Sequence, residues 1–245
     1  MKLKLIYETK GRAREYSEYA LDIYSGCNVG CKYCFNKPES EVRVRDEFSL
    51  SRLENDCKKL SNLEEKNFKV LLCFSSDPYN DLAVETGLTR MCLEILNKYN
   101  INFRVLTKRP SRAIKDFDLY KPGDEFGITL SFSDEVSRKE WEPGASSIEE
   151  RVEGLKEAKR KNIYTWLSIE PVVYTEEALN VIELTKGYVD KYKVGKINHN
   201  PEIEERIDWK DFGTRVTDKL KEMKDSIGCE YYIKKDLREA IEDEN

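Results

Sequence analysis

Three cysteines lie within eight residues near the amino terminus, and their spacing is the strongest chemical signal in the sequence. Cys27, Cys31 and Cys34 form a C-x3-C-x2-C array, with Gly26 and Gly30 beside or inside it. Thiolates are the usual ligands of iron–sulfur clusters, and a cubane held by three of them keeps one iron with an open position. Glycine lets the backbone turn sharply and approach a cluster without a Cβ in the way. The array therefore predicts a [4Fe–4S] cluster whose fourth iron can bind a substrate or cofactor.

The same thiols could instead belong to a structural zinc site. His199, the single histidine of the chain, would then be a candidate for the fourth tetrahedral ligand. Short zinc ribbons usually pair two C-x2-C-like knuckles, and the sequence lacks that pair. A ferredoxin-like electron carrier would need a fourth cysteine nearby. An iron–sulfur cluster with three protein ligands is the favoured interpretation.

Six short apolar runs rich in β-forming residues alternate with amphipathic stretches along the chain. The predicted strands are 18–24, 69–74, 102–107, 126–132, 163–169 and 188–194, and the predicted helices are 51–65, 86–99, 110–117, 148–161, 175–186 and 212–226. This alternation predicts a parallel sheet with right-handed crossovers, either doubly wound or curled into a barrel. Residues 227–245 are predicted to add a short strand and a charged terminal helix.

Polar stretches that contain the reactive residue types follow the predicted strands in turn. They are GCNVGCKYC, SSDPYN, TKRPS, SFSD, IEPV and GKINHN. Because the carboxyl ends of parallel strands meet at one edge of the sheet, these segments should converge on a single site. Asn198, His199 and Asn200 belong to the last of them and are candidates for substrate contact. Cys229, Tyr231 and Tyr232 of the final strand either line this pocket or pack beside it.

Length and composition set the remaining limits. The 245 residues suit one domain, 1–245, with a core at about 18–226 and an extension at about 227–245. The net charge of -5 provides no general attraction to nucleic acid or to an anionic membrane. A continuous apolar segment long enough for a signal or a membrane helix does not occur, which predicts a cytoplasmic protein.

With Tyr33 in place, the cysteine array reads C-x3-C-x-aromatic-C and resembles the hallmark of the radical S-adenosylmethionine (radical SAM) superfamily. The resemblance implies a partial (β/α)6 TIM-like barrel, in which Tyr33 belongs to the cofactor site. It also implies that S-adenosylmethionine chelates the fourth iron of a [4Fe–4S] cluster. An electron donor such as flavodoxin or ferredoxin is then expected as a partner.

Within this superfamily the chain is similar to the spore photoproduct lyase-like group over about residues 18–135. The residues that carry the similarity are SSDPYND at 75–81, GLTRMCLEIL at 87–96 and VLTKRP at 105–110. The Gly-Gly-Glu stretch with which most superfamily members bind the methionine ammonium is missing. Ser75, Ser76 and Asp77 take its place, and their oxygens can accept hydrogen bonds from an ammonium group. Asp77 could alternatively cap the following turn.

The resemblance extends to three further cofactor contacts, and the end of the fifth predicted strand offers Glu170 as another candidate. Lys108 matches the lysine that this group directs at the methionine carboxylate, and its neighbour Arg109 is a competing candidate. Ser131 and Ser133 match the position at which the group offers hydroxyls, and strand alternation predicts that both lie on one face. Glu170 could hold the ribose hydroxyls or the substrate, or could pair with a nearby lysine or arginine.

Cys73 is the candidate catalytic residue. Spore photoproduct lyase returns a hydrogen atom to its product radical from a cysteine in this stretch, although alignment on Ser76-Asp77 places Phe74 at that position. Strand alternation puts Cys73 on the same face as Ser75. The alternative is a buried core thiol in the run VLLCF.

These observations predict a radical SAM enzyme. The cluster would cleave S-adenosylmethionine reductively to a 5′-deoxyadenosyl radical, which would abstract hydrogen from an unidentified substrate, with nucleic acid as one candidate. The alternative function is a non-catalytic binding module stabilised by zinc or by an iron–sulfur cluster.

Overall fold

In the described part of the chain, ten strands form one large sheet and one small hairpin. The computed structural model describes residues 2–34, 41–64 and 67–242. In chain order the strands are β1 (Ile6–Glu8), β2 (Tyr19–Leu21), β3 (Tyr24–Ser25), β4 (Arg43–Val44), β5 (Val70–Leu72), β6 (Phe103–Thr107), β7 (Glu125–Thr129), β8 (Tyr164–Val172), β9 (Lys191–Lys196) and β10 (Glu230–Ile233). The large sheet has the order β1-β2-β5-β6-β7-β8-β9-β10, while β3 pairs only with β4. In the large sheet β1 is antiparallel to β2, and every other pairing is parallel.

Helices connect the parallel strands. They are α1 (Leu50–Leu60), α2 (Asp81–Thr86), α3 (Leu88–Lys98), α4 (Pro110–Ala113), α5 (Glu135–Trp141), α6 (Ile148–Arg160), α7 (Thr175–Thr185), α8 (Pro201–Arg206), α9 (Trp209–Ile227) and α10 (Lys235–Glu242). Among the described residues, 3-10 helices cover Gly11–Glu15 and Ile114–Leu119. In the part of the chain that the structure describes, no helix has the length and apolar character needed to cross a membrane.

The predicted α/β class and the partial barrel are confirmed. All six predicted strands occur in the large sheet, and the predicted final strand is β10, which pairs in parallel with β9. The pairing among the described residues does not close the sheet into a complete barrel, because β1 and β10 are its two edges. The sequence patterns missed β1, the hairpin of β3 and β4, and the helices α5 and α8. These elements are too short to show a clear hydrophobic period.

Local signals explain where several helices begin and end. The hydroxyl of Ser147 accepts a hydrogen bond from the backbone of Glu150, whose carboxylate binds back to Ser147 N, so a capping box starts α6. Ser49 caps α1 with a single bond, because its hydroxyl accepts from Arg52 N. The predicted helix 86–99 is interrupted at Gly87, whose φ of 68° lies in the left-handed region and separates α2 from α3. Helix α1 ends at Leu60, and residue 65 of its predicted range lies outside the described residues.

An aromatic and charged cluster packs at the amino-terminal halves of the strands. Trp166 is fully buried against Gly127, where a Cβ would lie 2.2 Å from the indole ring. Lys193 is also buried, and its Nζ lies 5.0 Å from the centroid of the Trp166 ring. The guanidinium of Arg104 donates to the backbone oxygen of Tyr16, the residue after the first 3-10 helix. Arg104 and Lys193 thus pack against Tyr16 from the amino-terminal side of the strands.

Candidate functional site

A cavity of about 580 Å³ lies at the carboxyl ends of the parallel strands. Its lining comes from the loops after β3, β5 and β6, from the 3-10 helix region before β2, and from the ends of β7, β8, β9 and β10. Ten of the twelve predicted site residues line it, namely Cys27, Cys31, Tyr33, Cys34, Cys73, Ser75, Ser76, Asp77, Lys108 and Glu170. The expectation that the polar strand ends converge is therefore met by the geometry.

Ser131 and Ser133 are not brought to this cavity. Among the described residues that line it, strand β7 is represented by Thr129. Strand β7 ends at Thr129, so the alternation argument does not reach the two serines that follow. Ser131 is fully buried, and the backbone N–H of Ser133 donates to the carboxylate of Glu177, 3.0 Å away. The predicted contact of these two hydroxyls with the cofactor is therefore not supported by the lining of this cavity.

Backbone contacts hold the cysteine loop against the segment between α5 and α6. Lys32 N donates to Trp141 O at 2.9 Å, and Gly144 N donates to Val29 O at 2.8 Å. Residue 144 must be glycine for this approach, because a Cβ there would lie 2.6 Å from Asn28 O. The α5–α6 segment therefore fixes the backbone that carries the thiols, although it lies more than a hundred residues away in sequence.

Arg109 is a second clamp on this loop. Its side chain is nearly buried, and its guanidinium donates to Asn28 Oδ1 at 2.8 Å, to Asn28 O at 3.1 Å and to Gly144 O at 3.0 Å. These bonds use the planar fork of an arginine to join two loops. These contacts favour a structural role for Arg109 over the alternative role of binding the cofactor carboxylate in place of Lys108.

The donor set of the loop fits a cluster better than a single ion. Cys27, Cys31 and Cys34 form no disulfide, and all three border the cavity. Each thiolate of a cubane binds a different iron, so the three sulfurs need not converge on one point. A tetrahedral zinc site needs such convergence, and no group of three His, Cys, Asp or Glu within residues 2–34, 41–64 and 67–242 is arranged to hold one ion.

Glu142, which the sequence patterns did not indicate, is the centre of a buried network beside the cysteines. Its carboxylate accepts a hydrogen bond from Tyr33 Oη, forms an ion pair with the fully buried Arg151, and lies 3.6 Å from Lys108 Nζ. Arg151 also donates to Thr129 O at 2.9 Å. Only one signal could have suggested Glu142: it precedes Pro143 and Gly144 in a turn, a common arrangement without chemical meaning by itself.

The electrostatics of this network favour its charged form. Burial raises the pKa of Glu142, but Arg151 and Lys108 outweigh it and leave that pKa below its usual value. Burial lowers the pKa of Lys108, and the Glu142 carboxylate more than restores it. Burial, together with Glu142, raises the pKa of Tyr33 well above its ordinary value, so the phenol keeps its proton. Lys108 is thus a cation at the cavity wall with one carboxylate already behind it.

The segment after β5 is folded by its own side chains. Asp77 accepts hydrogen bonds of 2.8 Å from Tyr79 N, Thr107 Oγ1 and Lys108 N. Asp77 thus caps the turn that follows it, which was the alternative prediction for this residue, and it also connects β5 to β6. Ser76 Oγ donates to Gly26 O at 2.6 Å, which attaches the segment to the start of the cysteine loop.

Cys73 lies at the cavity but not in a strand. Strand β5 ends at Leu72, and Cys73 has a φ of 56° with its N–H donating to Leu21 O at 2.8 Å. The alternation that was used to place Cys73 and Ser75 on one face therefore does not apply. Cys73 is buried, and burial raises the pKa of its thiol, so that it stays protonated.

Glu170 is already paired within the protein. Its carboxylate accepts hydrogen bonds from Tyr16 Oη and from Lys234 Nζ. Lys234 is almost completely buried, and its Nζ lies 3.6 Å from the centroid of the Tyr16 ring. Glu170 was expected either to contact a ribose or substrate hydroxyl or to pair with a lysine or arginine. The structure shows the pairing, with Lys234. Lys234 follows β10 and lies more than sixty residues from Glu170 in the sequence.

The remaining candidates divide between the cavity and the body of the protein. Asn198 and His199 line the cavity, whereas Asn200 caps α8 by accepting a hydrogen bond from Ile203 N. In the described part of the chain, Cys229, Tyr231 and Tyr232 do not line the cavity. Tyr232 Oη donates to Glu15 at 2.8 Å instead.

The fold and the site define an open α/β barrel with a three-cysteine loop at the carboxyl ends of its strands. The family model described as "Radical SAM superfamily" matches residues 21–186. The chain belongs to the radical SAM superfamily. This membership implies a [4Fe–4S] cluster and S-adenosylmethionine as cofactors.

A curated relative is the uncharacterized protein MJ0683 of Methanocaldococcus jannaschii, which is 27% identical over 169 residues. The alignment covers 64% of this chain and 61% of that protein, so the match spans less than two thirds of the relative.

Solved structures share the fold at low sequence identity. Spore photoproduct lyase complexed with dinucleoside spore photoproduct superposes with a TM-score of 0.70 at 15% identity, covering 92% of this chain and 79% of that one. Streptococcus suis SuiB bound to S-adenosylmethionine has a TM-score of 0.69 at 12% identity, with coverage of 91% and 52%. SuiB bound to its precursor peptide SuiA gives 0.67 at 12% identity, covering 90% of this chain and 50% of that one.

Proposed function

We propose that this chain is a radical SAM enzyme in which Cys27, Cys31 and Cys34 hold a [4Fe–4S] cluster. When bound, the cluster and S-adenosylmethionine would supply an electron and a 5′-deoxyadenosyl radical that abstracts hydrogen from the substrate. The observation that carries the proposal is the convergence of the three thiols with Tyr33, Ser75 to Asp77 and Lys108 on one cavity. An external electron donor such as flavodoxin or ferredoxin would reduce the cluster.

The chain's own groups supply charge complementarity for the cofactor. Lys108 Nζ would bind the methionine carboxylate, and the Glu142 carboxylate 3.6 Å behind it would keep the ammonium charged and oriented. The oxygens of Ser75, Ser76 and Asp77 would accept hydrogen bonds from the methionine ammonium. Asp77 can still do so, because a carboxylate has about four acceptor sites, and Tyr79 N, Thr107 Oγ1 and Lys108 N occupy three of them.

The pairing of Glu170 with Lys234 and Tyr16 limits its role. A carboxylate that already accepts two hydrogen bonds has lone pairs left for one ribose or substrate hydroxyl. We propose that Glu170 accepts a hydrogen bond from this hydroxyl, since Tyr16 and Lys234 hold its carboxylate in one orientation. Cys73, with its protonated thiol at the cavity edge, is the proposed hydrogen-atom donor.

For the substrate we propose a nucleic-acid-related molecule. The support is the resemblance of residues 75–81 and 105–110 to the spore photoproduct lyase-like group, together with the dinucleoside ligand of the structurally similar lyase. SuiB, which shares the fold, is bound to a peptide, so a peptide substrate is the competing class.

Metal analysis and cofactor cleavage test the proposal. Anaerobically reconstituted protein should contain about four irons with matching sulfide and, once reduced, should convert S-adenosylmethionine to 5′-deoxyadenosine. Alanine at Cys27, Cys31 or Cys34 should abolish both properties. The matched controls are Cys57→Ala and Cys92→Ala, since both of these thiols are buried in α1 and α3, away from the cavity. One zinc per chain in place of iron, or equal iron loss in the controls, would refute the assignment.

A further inference from the structure

The charges around the cavity are unequal, although the whole chain is acidic. Among the described lining residues there are five cationic side chains and two carboxylates: Lys10, Arg12, Lys108, Lys196 and Lys234 against Asp77 and Glu170. The chain carries a net charge of -5. A local excess of positive charge in an acidic protein therefore marks this cavity rather than the general surface.

Three of the cations have partners inside the protein. Lys234 is bound to Glu170, and Lys108 faces the buried Glu142. Arg12 lies 3.6 Å from Asp236, a carboxylate that also accepts from Asn198 Nδ2 at 3.0 Å. Asp236 thus joins the amino-terminal segment to the loop after β9, and it orients both Arg12 and Asn198 at the cavity.

Lys10 and Lys196 are the two remaining cations of the cavity lining. No carboxylate within residues 2–34, 41–64 and 67–242 lies in ion-pair contact with either of them. Lys196 Nζ lies 5.1 Å from the ring centroid of Trp209. That indole is itself fixed, because it is mostly buried and its Nε1 donates to Glu204 O at 2.8 Å. A cation held on a rigid aromatic face is already oriented for a ligand.

Lys10, Arg12 and Lys196 lie on different segments of the chain from the residues proposed to contact the cofactor. Lys10 and Arg12 precede β2, and Lys196 ends β9, whereas the cysteines, Ser75 to Asp77 and Lys108 lie on the loops after β3, β5 and β6. The cavity thus has two parts that differ in their charged side chains. The cofactor part balances its charges internally, and the other part retains two positive charges without a counterion.

We propose that Lys10, Arg12 and Lys196 form a subsite for a phosphate group of the substrate. Several cations from separate segments suit an anion that carries more than one negative charge and several oxygens, and arginine and lysine are the usual phosphate-binding side chains. This inference rests on the proposed function for the identity of the site, and it adds the part of the substrate that is recognised.

Thymidine 5′-monophosphate is a suitable probe, with thymidine and glutamate as controls. Titration calorimetry on anaerobically reconstituted protein with S-adenosylmethionine should show the nucleotide binding at least about tenfold more tightly than thymidine. Inorganic phosphate should compete with the nucleotide. Equal binding of nucleotide and thymidine would overturn the proposal, and so would glutamate binding as tight as that of the nucleotide.

Two single variants test the residues. Lys10→Gln and Lys196→Gln should each weaken nucleotide binding by about three- to tenfold, since each removes one charge. Lys58→Gln, at an exposed position on α1, is the matched control and should bind as the unaltered protein does. Unchanged affinity in both cavity variants would overturn the phosphate subsite.

The outcome is separable from that of the proposed function. If the protein forms 5′-deoxyadenosine but nucleotide binding does not depend on Lys10 or Lys196, the subsite alone fails. If nucleotide binding depends on these lysines while no cofactor is cleaved, the radical SAM proposal fails and the subsite stands.

Discussion

Replacement of Glu142 by glutamine tests the buried network beside the cysteine loop. The side chains of Glu142 and Arg151 are both fully buried and form an ion pair, with Lys108 on the other carboxylate oxygen. Glutamine keeps the shape and an acceptor for Tyr33 but removes the charge, so the Arg151 guanidinium loses its counterion. Breaking a buried pair in this way costs about 3–5 kcal/mol.

That energy corresponds to a large thermal shift. For a chain of this size 1 kcal/mol lowers Tm by about 2–4 °C, so Glu142→Gln should lower it by about 6–20 °C. The control is Glu176→Gln, which breaks a 2.7 Å pair between exposed Glu176 and Arg215. Exposed pairs contribute about 0–1 kcal/mol, so this control should shift Tm by less than about 4 °C.

The pH dependence of Tm provides a second test of Glu142→Gln. The pKa of Glu142 is lowered in the folded protein, so its contribution is complete above the unfolded value of about 4.3 and is lost as pH falls through the folded value. Circular dichroism melts of the two variants and the unaltered protein should therefore differ most near neutral pH and converge in acid. If Glu142→Gln melts within the range of the Glu176→Gln control at neutral pH, the network does not stabilise the fold as argued.

Three other changes have definite expected outcomes. Lys108→Ala should weaken S-adenosylmethionine binding by about 10- to 100-fold while iron content stays normal, because it removes a charge-assisted carboxylate contact and no iron ligand; unchanged affinity would contradict that role. Arg109→Lys keeps the charge but loses the fork that holds Asn28, so a chelator should strip iron about tenfold faster, and equal rates would exclude a positioning role. Burial lowers the pKa of Lys193 to about 7, so the unfolded chain binds more protons between about pH 7 and 10 and stability should rise with pH there. Lys193→Met should remove that rise in urea unfolding, and a persistent slope would show that another group causes it.

The site could be predicted from the sequence only where its chemistry is local. The spacing of Cys27, Cys31 and Cys34 is set within eight residues, and the glycines beside them allow the turn that the loop adopts. The alternation of apolar runs with amphipathic helices likewise depends on neighbouring residues, and it predicted all six central strands and the final one. Because the carboxyl ends of parallel strands share one edge, this pattern also predicted which loops meet, except for the segment SFSD after β7.

Tertiary structure decided what those residues contact. Glu142, Arg151 and Lys234 acquire their roles from partners that are distant in sequence, and no periodicity or motif marks them. Strand alternation failed for Ser131, Ser133 and Cys73, because β7 and β5 end before these residues, and strand ends depend on the pairing of neighbouring strands. The sequence by itself therefore determined the class of fold and the three thiols. Only the folded chain decided which charges are neutralised internally and which remain for a ligand, because ion pairing and burial depend on distances between segments that sequence spacing does not fix.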